Sequence, residues 1–201
     1  MSKKIVVAFI TIALSVFGCF ACGCSQQTPS DVTSGLLSAM QNGDSEKIGK
    51  YCNNININYS PADKNNNLTK EQQDVVDDFV NKARDFNYKV VSETVDGDSA
   101  TVDVEINTYD FGDMFKEAIG EYIGQALGYA FAGNATEEKL TGLFIDIIGE
   151  KMEGMTEKNY NKTITFALTK SDNVWKVNEV NDSHFDAITG GLYSVVKNFN
   201  A

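Results

Sequence analysis

The spacing of apolar residues divides the chain into segments of different period. Val32, Leu36, Leu37 and Met40 recur at helical spacing behind Thr28-Pro29-Ser30-Asp31. A threonine cap, a proline at the first helical position and an acid at the third mark a helix start there. Asn42-Gly43 ends this helix, and a shorter one follows over about Asp44 to Cys52. The asparagine-rich stretch 53–68 reads as a loop. Thr69 with Gln72 forms a capping box for a further helix, whose stripe is Val75, Val76, Phe79, Val80 and Ala83.

The period then shortens to two. Tyr88 to Val95 and Ala100 to Thr108 flank Asp96-Gly97-Asp98, a hairpin signal. In the second strand Ala100, Val102, Val104 and Ile106 alternate with Thr101, Asp103, Glu105 and Asn107. One face is apolar and the other wet, as in an antiparallel sheet covered on one side. A second hairpin joins Ile164, Phe166 and Leu168 through Ser171-Asp172-Asn173 to Val174–Val180, which carries Trp175. Between the hairpins lies a helical insertion over about 111–156. Phe115 to Ala132 forms its first helix, and Thr136 caps a second with the stripe Leu140, Leu143, Phe144, Ile147, Ile148 and Met152. The chain closes on a helix that Ser183 would cap, with Ile188, Leu192, Val195, Val196 and Phe199 on one side. The expected fold class is α+β: N-terminal helices packed on a curved antiparallel sheet of two hairpins, a helical insertion between them and a C-terminal helix.

The N-terminus follows another rule. Lys3 and Lys4 precede a charge-free run from Ile5 to Phe17, and small residues and cysteines follow through Cys24. This is the layout of a secretory signal. The run is shorter than the roughly 20 residues of a transmembrane helix, although extension to Ala21 approaches that length and leaves an uncleaved anchor open. The stretch resembles the lipobox of bacterial lipoproteins, in which a small residue precedes the cysteine that takes the lipid. Ala21-Cys22-Gly23-Cys24 runs into polar Ser25-Gln26-Gln27, which favours Cys24; Val16-Phe17-Gly18-Cys19 offers Cys19 as the alternative. The expected organisation is a lipoprotein signal peptide over 1–23, a lipidated tether over 24–27 and one cone-like α+β domain over 28–201.

Charge narrows the partners. The chain holds 17 basic and 28 acidic residues, a net charge of −11, which falls to −13 once Lys3 and Lys4 leave with the signal. Nucleic acid and anionic lipid both call for clustered Lys or Arg, so neither is expected as a partner. With Cys24 as the anchor, Cys52 is the one cysteine left in the domain, so no disulfide framework forms within it. Cys52 lies in an apolar helical pattern and reads as a buried inert thiol.

The order of elements resembles a known family. A small helix pair ends in the pivot Gln41-Asn42-Gly43-Asp44, a hairpin reads Val-Asp-Gly-Asp-Ser-Ala-Thr-Val over 95–102, and Asn-Val-Trp-Lys-Val closes the sheet over 173–177. This resembles small Gram-positive lipoproteins of unknown function with a cystatin-like domain, of the nuclear-transport-factor-two-like superfamily, over about 28–181. The resemblance implies a curved sheet wrapped on helices around an apolar pocket, and the long insertion departs from its simplest members. Such folds host enzymes, binding modules and assembly domains alike.

Candidate chemistry is sparse. His184, the single histidine, sits at a helix start and reads as a helix-end residue. No cysteine or histidine cluster suggests a transition metal, and Asp96-Gly97-Asp98 lacks the spacing of a calcium loop. Asp110 and Asp113 read as helix-capping acids, and adjacent Asp77 and Asp78 as a solvated face. No metal and no cofactor are expected. Trp175, with Tyr88 and Tyr109, could floor a ligand pocket in the cone, or Trp175 could be plain core. Gly120, Gly124 and Gly128 recur every four residues on one helix face. Each costs roughly 1 kcal/mol against alanine in a helix, which points to close packing. The reading preferred is packing against the Leu140–Met152 helix; the alternative is a surface for a partner protein, a second copy or lipid. The functional expectation is a non-enzymatic lipoprotein on the outer face of the cytoplasmic membrane of a Gram-positive bacterium, held by its lipid and binding a ligand or partner. The alternatives are an enzyme acting on a small apolar molecule in the cone, and a structural protein associating through the insertion helices.

Overall fold

The computed structural model describes residues 27–55 and 68–199. The signal, Cys19, Cys24 and all of the tether but Gln27 lie outside the described residues, as does most of the asparagine-rich loop. Helices α1 (Pro29–Asn42), α2 (Ser45–Tyr51) and α3 (Lys70–Arg84) come first. Strands β1 (Asn87–Asp96) and β2 (Ser99–Thr108) form the first hairpin. Helices α4 (Phe111–Phe131) and α5 (Glu137–Glu153) separate it from β3 (Tyr160–Ser171) and β4 (Val174–Val177). Helices α6 (Asp182–Ile188) and α7 (Leu192–Phe199) follow. The fold is α+β, with one four-stranded antiparallel sheet in the order β1-β2-β3-β4.

Local chemistry sets most boundaries. Thr28 caps α1 in a closed box: its hydroxyl accepts from the Asp31 N–H, and the Asp31 carboxylate accepts from the Thr28 N–H. Thr69 and Gln72 do the same for α3. Asp172 and Asn173 both take positive φ, 51° and 64°, as the tight β3–β4 turn demands. A bulge at Val91 shifts the β1 register between Val90 and Ser92. Side-chain parity inverts there, so Glu93 and not Ser92 lies opposite Val102 on the inner face. Glu93 then accepts from the Ser30 N–H at 2.8 Å and from the Ser30 hydroxyl, holding a carboxylate against the positive end of α1.

Two apolar clusters result. The first fills the inner face of the sheet: Val102, Val104, Phe166 and Val177 are fully buried under Val32, Leu36 and Leu37 of α1 and under Ala187 and Ile188 of α6. The second lies among the helices, where Phe111, Met114 and Ala118 of α4 meet Ile147, Ile148 and Met152 of α5, with α3 and α7 packed alongside. Residues 52–55 run parallel to the last strand, with bridges from Cys52 to Val177 and from Ile55 to Val180.

The C-terminal helix differs from the sequence expectation in two respects. Its cap is Asn181, not Ser183: the Asn181 side chain accepts from the Ser183 and His184 N–H groups. The helix is also broken, because Gly190 and Gly191 take φ of 55° and 81° and separate α6 from α7. The break has a steric cause. A Cβ on Gly190 would stand 1.9 Å from the Tyr109 carbonyl oxygen, and the Gly112 N–H donates to the Gly190 carbonyl at 2.8 Å. The C-terminal chain therefore crosses the base of α4 backbone to backbone.

Gly190→Ala is expected to destabilise the protein by roughly 2–5 kcal/mol, the sum of left-handed strain and overpacking. Gly97→Ala, which shares a positive φ of 58° but meets nothing within 4 Å, is expected to cost only about 1 kcal/mol. Urea denaturation of the two variants separates these contributions; equal costs would show that the crossing does not constrain the fold.

Candidate functional site

The three aromatic candidates do not meet. Trp175 is buried on β4 within the sheet cluster, with Lys170 Nζ 5.7 Å from its ring centroid. Tyr88 packs on the same cluster from β1, the opposite edge of the sheet, and its hydroxyl donates to the Ser34 carbonyl at 3.2 Å. Tyr109 belongs to the helical cluster. The space under the sheet that the family resemblance assigns to a ligand is occupied by leucine, valine and phenylalanine side chains, so these residues floor no common pocket.

The histidine and the thiol are both engaged. His184 is buried, not on the surface, and stacks on Phe166 with centroids 4.5 Å apart. Its Nδ1 accepts from the Asn181 N–H at 3.1 Å and its Nε2 faces the Thr165 carbonyl at 2.9 Å. A carbonyl only accepts, so Nε2 carries the proton and neither nitrogen is free for proton transfer. Cys52 is buried, its thiol donating to the Asn54 carbonyl at 3.0 Å, and burial pushes its pKa up. A raised thiol is a poor nucleophile. Asp110 accepts from the Asp113 N–H at 2.9 Å and caps α4, while Asp113 pairs with Lys116.

An open groove of about 490 Å³ lies at the base of the helices, between α3 and the end of α5, and Tyr109 and Asp85 line it. Asp85 accepts from Lys158 at 2.6 Å and from the Tyr109 hydroxyl at 3.1 Å, and Lys82 sits 4.6 Å from the Tyr109 ring centroid. The Lys158 hydrogen bond holds the Asp85 carboxyl below its usual range. Desolvation, and then the hydrogen bond to Asp85, push the Tyr109 phenol up. Both shifts oppose catalysis: the carboxylate is a weaker base and the phenol a weaker acid than in water. This knot ties the start of α4 to the end of α3.

The insertion helices present a different surface. Gly120, Gly124 and Gly128 have nothing within 4 Å of an added Cβ among the described residues, so the expected close packing against α5 is not made. Helix α5 instead approaches α4 through Phe144, edge-on to Phe115 and Tyr122 at 5.6 and 5.4 Å between centroids. On the free side of α4, Ile123 is 52 %, Leu127 53 % and Phe131 88 % exposed. Beside them lies an open apolar groove of about 860 Å³ lined by Phe115, Ile119, Tyr122, Leu140 and Phe144, among others. Residues 122–135 carry no charge, and Glu121, at the margin, pairs with Lys151 at 3.0 Å. The sequence signal for this surface is the glycine row; the ridge of large side chains next to it stands out only where the fold leaves it uncovered.

No family model and no curated protein matches the chain. A solved structure that does match is a Bacillus subtilis lipoprotein, ycdA, at 12 % identity and a TM-score of 0.37 over 88 % of this chain and 55 % of that one. The chain spans about half the length of that protein, and an overlap of this size does not show a shared fold. The resemblance to the cystatin-like superfamily finds no family match. Among the described residues no group of metal-binding side chains gathers, and no helix is long and apolar enough to cross a membrane.

Two outcomes are expected. With its folded pKa depressed, Asp85 contributes stability that is present above the ordinary carboxylate range and is lost as pH falls through the folded value. The Asp85 side chain is 57 % exposed, so Asp85→Asn should cost under about 1 kcal/mol at neutral pH and nothing in strong acid; a pH-independent difference in urea midpoints would show that the ion pair is not its source. Gly124→Ala should raise stability by roughly 0.5–1 kcal/mol, whereas a loss would reveal packing on that face.

Proposed function

We propose that the chain is a lipid-anchored extracytoplasmic protein without catalytic activity, and that it works by binding a protein partner through the exposed face of α4. The observation that carries this reading is the contrast between the two apolar surfaces. The inner face of the sheet is filled by its own side chains, while Ile123, Leu127 and Phe131 stand in solvent on a charge-free stretch of helix. Exposed apolar patches next to a groove are typical of sites that receive another molecule. The engaged nitrogens of His184, the raised thiol of Cys52 and the tethered Tyr109 hydroxyl support a role without chemistry. The anchor reading rests on the basic start, the charge-free run and the cysteines near Cys24.

Topology favours a partner over the protein's own membrane. Thr28, where the tether would enter, lies by Ser30 and Glu93, toward the β1–β2 turn. Helix α4 starts beyond Thr108, at the other end of β2, and packs on α3, α5 and α7 instead of returning along the sheet. Six residues of strand from Glu93 back to Asn87 span roughly 20 Å, and the helix adds about 30 Å. These lengths support a reading in which the tip of α4 faces away from the tether.

Intact mass of the membrane-extracted protein tests the anchor: a diacyl modification is expected at Cys24, with Cys19 as the alternative, and an unmodified chain retaining residues 1–18 would exclude it. A photo-cross-linking residue at position 127 of the membrane-bound protein tests the face. Protein-sized adducts are expected there and not from position 101 on the open face of β2. No protein adduct at 127 would reject partner binding by α4.

A further inference from the structure

Building on that reading, we propose that the partner at this face is a second copy of the chain, packed with its α4 beside the first about a two-fold axis. The shape of the face carries the inference. At 100° per residue, Ile123, Leu127 and Phe131 form one i, i+4 ridge, and Gly120, Gly124 and Gly128 form the adjacent row about 60° round the helix. Both rows point away from Phe111, Met114, Phe115 and Ala118, which face the helical cluster. The ridge is exposed and the glycine row is open. A helix surface packs by setting a ridge into a groove. Here the ridge and the groove of matching length and inclination lie side by side on the same patch. A two-fold axis between two such helices sets the ridge of each copy into the glycine row of the other, which is the self-complementarity an isologous contact requires. A partner of different sequence would need only one of the two features.

Charge selects the same occupant. Two copies with a net charge of −11 or more repel one another over most of their surfaces. Residues 122–135 carry no charge and Glu121 at one margin is paired with Lys151, so contact here sets few acids against each other; the one carboxylate lining the adjoining groove is Glu137, at its far margin. A basic partner would be drawn to the acidic surfaces instead of to this patch. With Thr28 toward the β1–β2 turn and α4 leaving from the other end of β2 in both copies, a two-fold axis along the membrane normal keeps both tethers on one side and both α4 helices parallel. The ridge from Ile123 to Phe131 is only about 12 Å long, well short of the roughly 800 Å² per partner of a standard interface even with the neighbouring groove. The contact is therefore weak in dilute solution and depends on tethering, which raises effective concentration in the membrane plane.

The experiment uses the full-length protein in its own membrane, with the photo-cross-linking residue at 127. An adduct of twice the chain mass is expected, with the cross-link mapping to α4 of the second copy. Its yield should rise with salt, because salt screens the repulsion, and it should fall at least tenfold in Gly124→Leu, which fills the groove. A Cβ at Gly124 meets nothing within 4 Å among the described residues, so a melting temperature that is not lowered will show that Gly124→Leu still folds. An adduct with a different protein would overturn the second-copy inference and leave partner binding by α4 standing; no protein adduct at 127 would overturn both. A twofold adduct that persists in Gly124→Leu, or that weakens with salt, would overturn the ridge-in-groove geometry.

Discussion

The placement of the insertion and of the C-terminal helices depends on one backbone crossing. Gly190 lies against the Tyr109 carbonyl, and the Gly112 N–H donates to the Gly190 carbonyl. At that point the chain leaving the sheet for the insertion and the chain leaving α6 for α7 share a space too narrow for a Cβ. The crossing directs α4 outward and lays α7 beside it. Asp186 reinforces the bend: it is buried, accepts from the Ser194 N–H at 2.9 Å inside α7, and takes Lys162 of β3 at 3.3 Å. A buried carboxylate is tolerated because both its charge and its lone pairs are answered. The sheet cluster and the helical cluster are thereby joined through paired polar groups and glycine backbone.

Much of this architecture was legible along the chain, for reasons that are local. A threonine accepts from the N–H three residues on whatever lies beyond it, so Thr28, Thr69 and Thr136 announce their helices. Strict alternation in Ala100–Ile106 announces a strand with one covered face. The features that escaped depend on residues distant in sequence. The apolar spacing of Ile188, Leu192 and Val195 runs on past Gly190-Gly191 as one helix; only the position of Tyr109, 81 residues earlier, makes the pair a break. The bulge at Val91 has no residue signature and is explained by Glu93 turning toward Ser30. The helix-end position of His184 is legible, but its burial is not: the start of α6 lies over Phe166, and the buried imidazole satisfies the Asn181 N–H and the Thr165 carbonyl.

The glycine row shows how a correct pattern can be assigned the wrong neighbour. Three glycines in one helix cost about 3 kcal/mol against alanine, and close packing within the chain would offset that. The structure withholds this compensation, because α5 meets α4 through Phe144 on a different face. Helix α4 is held by its first turns, where Phe111, Met114 and Ala118 are buried, and by Tyr122 against Phe144. Its last turns rest on little besides their own hydrogen bonds. The least stabilised part of the helix is thus also its most apolar exposed part, as expected of a segment that completes its packing on something outside the chain.

The acidic composition then acquires a structural meaning. An exposed ridge ending in a phenylalanine that is 88 % exposed is ordinarily an aggregation hazard. On a chain of net charge −11 the hazard is limited, because copies approaching in most orientations bring carboxylates together before the ridges can touch. Charge elsewhere on the surface therefore selects orientation at α4: it leaves open the approaches in which the charge-free tips meet and raises the energy of the rest. The same logic explains why a patch that would be sticky on a neutral protein can stay exposed on this one. On the proposed reading, one distribution of charge both limits aggregation and orients the contact.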